Sequence, residues 1–411
     1  MAPLVAAVSD IQREPAYARA LTAGRTAFGS AWRPTVQSVA SGRIELLGNH
    51  LDYNGGPVLA AAIDRRVVVL LDEAGDADSI HVCSADTSSD TFVLSPTNLG
   101  DWQNAGSPRE PADYVRGLIA AARSREEHSL RRGVRLAFAG DVPIGFGVSS
   151  SAALCVALTL ALVPNPLTFT ETVLLAQEAE HRAGTPCGTM DQSASVAGGV
   201  IRYDGASLTV EQLHPDLGDY VFVVADSGVD RALGASAYPT RVKEANRIRS
   251  LAGSALRHPV EHPAQLDASS FERLTAGADP VLDPTLTARL RHIVTETERV
   301  AAGMTALREA DWRRFGTLMT ASGRSSAGDY DISHPQVEEL VAEIQRVDGV
   351  LGSRMMGGGG GGTALTLMRR DRIEMLETAL RAGYYARYGM EDRPGVIQPC
   401  AFAGPAQIKT V

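Results

Sequence analysis

The chain is poor in cysteine, with four in 411 residues: Cys83, Cys155, Cys187 and Cys400. None belongs to a Cys-x-x-Cys pair, and no Cys/His spacing suits a structural zinc site. A disulfide framework is excluded, and the pattern reads as reduced cytosolic thiols. Basic charge is also lacking. Lys and Arg total 39 against 48 Asp and Glu, a net charge of −9. That sign disfavours nucleic-acid and anionic-membrane partners, which need a basic face. The longest apolar run, Ala152 to Val163, contains Thr159 and is too short to cross a bilayer. The opening MAPLVAAVSDIQRE has no basic start, which argues against a signal peptide. These absences predict a soluble, cytoplasmic protein; a monomer or weak dimer is the expectation.

What is present is an ordinary globular balance, 44% hydrophobic and 21% charged. The length exceeds one ordinary core, so two domains are expected, 1–212 and 213–411. Residues 16–29 pattern as a helix ending at glycine. TVQSVASGRIELLG patterns as a strand pair meeting at Ser41-Gly42, and further short β-rich runs follow to about residue 95. Helical spacing returns at DYVRGLIAAARSREE, at TFTETVLLAQEAEHRAG with its Thr168-x-x-Glu171 capping box, and from about Pro239 to Ala310. Strands and helices mix without strict βαβ alternation. That predicts α+β layers and not a doubly wound sheet.

PIGFGVSSSAA joins a strand-like run to a helix that is apolar nearly all round, which predicts burial. Gly145 and Gly147 let backbone approach a ligand closely. Ser149, Ser150 and Ser151 fall at the helix N-terminus, where free N–H groups and the helix dipole favour an anion. Serine hydroxyls can also ligate Mg²⁺. The loop is neither a GxxxxGK[ST] phosphate loop nor a GxGxxG fingerprint. Taken alone it equally suits a serine N-cap beside a glycine turn.

Several stretches together resemble the galactokinases of the GHMP kinase superfamily. PIGFGVSSSAA resembles that superfamily's second motif. GRIELLGNHLDYNGGPVLAAAIDR resembles the galactokinase signature GRxNxIGEHxDYxxGxVLPxAI. AEHRAGTPCGTMDQ resembles the stretch around the family's catalytic aspartate, and RMMGGGGGGTALTL its third motif. SGVDRALGASAY is a weaker match to a segment that supplies a sugar-contacting tyrosine. The matches run in order from Gly42 to Leu367. The resemblance implies a ribosomal-protein-S5-like N-terminal domain and a ferredoxin-like α+β C-terminal domain. ATP and a sugar would sit between them, with γ-phosphoryl transfer to the anomeric hydroxyl of a hexose.

The resemblance also implies roles. Asp191 would be the catalytic aspartate, able to accept or orient the hydroxyl proton, and Arg43 would stabilise transition-state charge. Asn49, His50, Asp52, Gly188 and Tyr238 would line the sugar site, an ionised Asp52 suiting vicinal hydroxyls. The loop from Gly145 to Ser151 would wrap the triphosphate, and Ser150 or Ser151 with Glu180 would hold Mg²⁺. Gly358, Gly359 and Gly361 would form a backbone wall, loosened by Gly360 where the family has Phe. Two positions depart from the signature: Asn49 stands where it has Glu, and Glu45 where it has Asn. Asn49 is expected at the sugar's C6 hydroxyl. That leaves galacturonate or L-arabinose as alternatives to galactose, and a galactose/ATP sensor without chemistry as a third.

Overall fold

The computed structural model describes residues 11–73, 78–86, 91–99, 101–106, 110–125, 129–229, 237–277 and 280–411. Most of the leading segment, and residues 230–236 of the weaker tyrosine match, lie outside them. In the first half, α1 (Pro15–Phe28) precedes β1 (Val36–Leu47), β2 (Pro57–Glu73), β3 (Ile80–Ser84) and β4 (Phe92–Leu94). Then come α2 (Pro111–Arg123), β5 (Val134–Gly140), α3 (Ser150–Leu162), α4 (Phe169–Arg182), α5 (Met190–Ala197), β6 (Val200–Asp204) and β7 (Thr209–Leu213). The strands form a sheet ordered β4-β3-β5-β2-β1, antiparallel except for β3 beside β5. At 17 residues, β2 is long enough to pair with β5 through one half and β6 through the other.

β1 is one continuous strand, where a strand pair was expected. The polar break at Ser41-Gly42 is a β-bulge in the β1–β2 pairing. Gly42 supports a close approach there, since a Cβ would lie 2.6 Å from the Val148 carbonyl oxygen. As its composition requires, α3 is buried on nearly every side. The Thr168–Glu171 capping box opens α4 as read.

The second half holds β8 (Tyr220–Asp226), α6 (Tyr238–Leu256), α7 (Ala268–Thr275), α8 (Pro284–Arg308), α9 (Trp312–Gly328) and α10 (Pro335–Ile344). β9 (Val350–Met355), β10 (Thr363–Arg369), α11 (Ile373–Leu380), β11 (Ile397–Cys400) and β12 (Gln407–Thr410) complete it. A four-stranded antiparallel sheet runs β11-β8-β10-β9. The final strand, β12, leaves this sheet and pairs with β1 at the edge of the first. One hydrophobic core is continuous from β1 and β2 through α8 to β8 and β10. The mixed α+β architecture is the one expected. No helix among the described residues is long and apolar enough to cross a membrane.

Candidate active site

The site is assembled where β1, the turn after it, the loop before α3 and the start of α5 converge. Arg43 projects from β1 beside its bulge. Its Nε donates to Asp191 Oδ1 at 2.8 Å, its Nη2 lies 2.6 Å from the same oxygen, and its Nη1 donates to the Gly147 carbonyl at 2.5 Å. One guanidinium therefore ties the glycine-serine loop to the aspartate. Ser149 adds a second tie, its Oγ donating to Asp191 Oδ2 at 2.6 Å. Ser149 is the N-cap residue of α3 but sits in the left-handed region and makes no side-chain cap bond. The first N–H groups of α3 are left facing the loop's concavity, which suits a phosphate. Gly145 borders it with open space around its Cα.

Asp52 follows the turn after β1. A side chain at position 188 would overlap Asp52 Oδ2, so Gly188 supports this close approach and brings the Asp191 segment alongside. Burial pushes the Asp52 carboxyl up to about 7, with Asp191 and Glu45 adding to the rise, while the Tyr53 backbone N–H and Arg43 oppose it. His50 holds φ 61°, a costly backbone conformation for a residue with a side chain. Its Nδ1 lies 2.9 Å from Tyr53 Oη, which lies 2.9 Å from Tyr330 Oη. The Tyr238 ring stands 5.8 Å from His50 and 5.0 Å from Tyr53. Tyr238 lies close enough to Asp52 and Asp191 for their charges to raise its phenol further, after burial, the larger cause. Aromatic faces with a carboxylate at one end are a usual way to hold a sugar's apolar face and its hydroxyls.

Glu180 sits on α4 beneath the serine loop and is almost wholly buried. Ser151 and Gln192 hydrogen-bond its carboxylate. Burial pushes it up to about 7, against those bonds and with Asp191 adding to the rise. Asp52, Glu180 and Asp191 thus form one acidic group sharing Arg43 as counter-charge. Among the described residues no cluster of three His, Cys, Asp or Glu side chains could cage a metal alone.

Two expectations are corrected. Asn49 does not face a ligand: its side chain is enclosed and its bonding capacity is used by the protein. Its Nδ2 donates to Glu45 Oε1 at 2.9 Å and to the Gly357 carbonyl at 3.1 Å, and its Oδ1 accepts from Ser326 Oγ at 2.9 Å. The C6 alternatives that rested on Asn49 lose their support. The hexaglycine loop is not loose either. Gly360 N–H donates to the Ile332 carbonyl at 2.8 Å, Gly362 N–H to that of Val229 at 3.1 Å, and Ser227 Oγ to that of Gly362 at 2.6 Å. A Cβ on Gly359 would overlap the Ile332 carbonyl oxygen, and Gly361 packs on Val229, whereas Gly358 and Gly360 face open space.

Residues that the sequence did not mark hold this assembly. Glu296, deep on α8, accepts the Gly48 and Asn49 backbone N–H groups at 2.9 and 3.2 Å and Ser322 Oγ at 2.7 Å. Burial works against its charge, but His292, Arg299 and Arg354 outweigh it and hold the carboxyl down to about 2. His292 lies 3.0 Å from the Asn49 carbonyl oxygen. Arg354 on β9 donates to the Glu45 carbonyl at 2.6 Å and to its carboxylate at 2.9 Å. Thr363, at the start of β10, donates to the Phe146 carbonyl at 2.8 Å.

A glycine-serine loop at a helix start with the Arg43–Asp191–Ser149 group beside it suits the GHMP kinase class, and the family models match the chain. The family model for the N-terminal domain of GHMP kinases matches residues 113–199, and that for the C-terminal domain 304–386. The galactokinase galactose-binding signature matches residues 25–72. The galactokinase of Roseiflexus sp. (strain RS-1) is 36% identical over 87% of this chain and 89% of its own. That of Homo sapiens is 33% identical over 87% and 90%. The crystal structure of Lactococcus lactis galactokinase complexed with galactose superposes with a TM-score of 0.80 at 25% identity, covering 92% of this chain and 95% of that one. A mevalonate kinase shares the fold at a TM-score of 0.61 and 16% identity, covering 89% and 98%. The chain belongs to the galactokinase family, whose members are ATP-using kinases.

Proposed function

We propose that this protein transfers the γ-phosphoryl group of ATP to the anomeric hydroxyl of galactose. The observation that carries the reading is Asp52 pressed against Gly188, one turn from the Arg43–Asp191–Ser149 group. A sugar whose vicinal hydroxyls donate to Asp52 would bring a further hydroxyl toward Asp191. His50 and Tyr238 would complete the sugar site. The triphosphate would lie on Gly145, Gly147 and Ser149–Ser151, against the N-terminus of α3. Phosphoryl transfer asks mainly for alignment and charge neutralisation. Arg43 can supply charge at the reacting centre, and Asp191 can hold or take the hydroxyl proton.

Mg²⁺ fits the donor set. One buried carboxylate, Glu180, and one hydroxyl, Ser151, are already paired, and this cation favours such a partial shell completed by phosphate oxygens and water. Bound there, it would neutralise charge on the transferring phosphoryl group. The division into domains at 212/213 is proposed likewise, with β12 crossing back to the first sheet.

A coupled ADP-release assay over galactose, galacturonate, L-arabinose and mevalonate tests the reading. Galactose is expected to give the highest kcat/KM. ADP release with another acceptor, and none with galactose, would sink it.

A further inference from the structure

Asn49 is closed off, yet Glu45 beside it is not fully used. Between the two bulges of β1 the pairing is regular, Arg43 opposite Ala62 and Glu45 opposite Ala60. Residues two apart on a strand share a face, so Glu45 points to the side from which Arg43 reaches Asp191. Its Oε1 accepts from Asn49 Nδ2 and from Arg354 Nη2, both at 2.9 Å. Its Oε2 accepts no hydrogen bond among the described residues, and the side chain keeps 4% of its surface accessible. Oε2 keeps a little surface open to water, and a ligand hydroxyl could donate there in water's place. Its charge is felt at Asp52, so the two carboxylates are neighbours.

We propose that Glu45 is a specificity-determining residue of the acceptor site, its Oε2 accepting a hydrogen bond from one non-reacting hydroxyl of the sugar. Asn49 and Arg354 are its holders: together they pin Oε1 and leave Oε2 unpaired. The sequence departs from the family signature at both positions, with Glu and Asn exchanged. A 2.9 Å hydrogen bond joins the two exchanged positions. The carboxylate now stands on β1, paired with Arg354.

The inference rests on the galactose reading, so the test separates the two. Wild type, Glu45→Gln and Glu45→Gln/Arg354→Met are assayed on galactose and on its 2-, 3-, 4- and 6-deoxy analogues. The double variant removes the buried guanidinium with its counter-ion, which protects against misfolding. Both variants should lose about 10- to 100-fold in kcat/KM on galactose, mostly through KM, as for one hydrogen bond to a charged group. On one deoxy sugar, that lacking the partner hydroxyl, variant and wild type should agree within about threefold. An equal loss on every sugar, or no loss on galactose, would overturn the role of Glu45 while the wild-type galactose activity stands. Absence of that wild-type activity would overturn the galactose reading and this inference with it.

Discussion

Both oxygens of the Asp191 carboxylate are engaged, Oδ1 by Arg43 from β1 and Oδ2 by Ser149 from the phosphate loop. Those donors fix its orientation, and the Arg43–Gly147 bond couples it to the loop. Its side chain nonetheless remains 23% exposed, which is consistent with the proposed role at the acceptor. Asp191→Ala is therefore expected to reduce kcat by at least about 100-fold, the usual contribution of a positioned proton acceptor. The Kd for ATP should change little. Steady-state kinetics with calorimetric titration of ATP decide it. A loss confined to KM would make Asp191 a binding group only. Ser149→Ala should act more weakly, since it removes one of two donors and leaves the Arg43 pair.

The turn after β1 shows why helices and strands were easier to read than the directions of side chains. The glycine-serine loop, the capping box of α4 and the buried helix α3 are local features, fixed by residues near in sequence. Asn49 was misplaced because direction inside a turn depends on dihedral angles. With His50 in the left-handed region, positions 49 and 50 diverge, one into the protein and one toward the tyrosines. Glu296 was invisible for another reason. It arrives from 248 residues away, and nothing in TETER distinguishes it from the exposed charges around it. The strands β7, β9, β11 and β12 went unread, because their runs mix polar residues, glycine or proline with few β-branched ones. Glu296 also yields a prediction for the element it anchors. Glu296→Ala would strip two backbone N–H groups and Ser322 of their acceptor and leave Arg299 without its pair. Breaking a buried pair costs about 3 kcal/mol or more, so Tm should fall. A tilted signature turn should also raise the sugar KM more than it lowers kcat. If Tm falls and KM for sugar is unmoved, the carboxylate braces the fold without aligning the turn.

Taken over the whole molecule, the acidic cavity contributes to how stability follows pH. Asp52 and Glu180 reach about 7 in the folded chain, against about 4 when exposed in the unfolded one. The folded protein therefore holds more protons between those values, and this contribution to stability declines as pH rises from about 4 to 7, then levels. Glu296 has the opposite sign. Held down to about 2 when folded, it contributes stability above about 4.5 that is lost as pH falls toward 2. Burial holds the His292 imidazole below its ordinary value, so that residue adds stability as pH rises toward about 6.5 and partly offsets the decline from Asp52 and Glu180. At neutral pH, ionising Asp52 and Glu180 in place costs on the order of 3 to 4 kcal/mol each. Sugar hydroxyls at Asp52 and a divalent cation at Glu180 favour the ionised forms, so substrates should relieve that cost where the enzyme works. Thermal melts from pH 5 to 7.5 should show Tm falling without ligands and falling less with galactose, ATP and Mg²⁺. Asp52→Asn/Glu180→Gln should flatten the ligand-free slope and melt above wild type at pH 7.5. A wild-type slope that the double variant reproduces would assign the pH dependence to other groups and detach it from the active site.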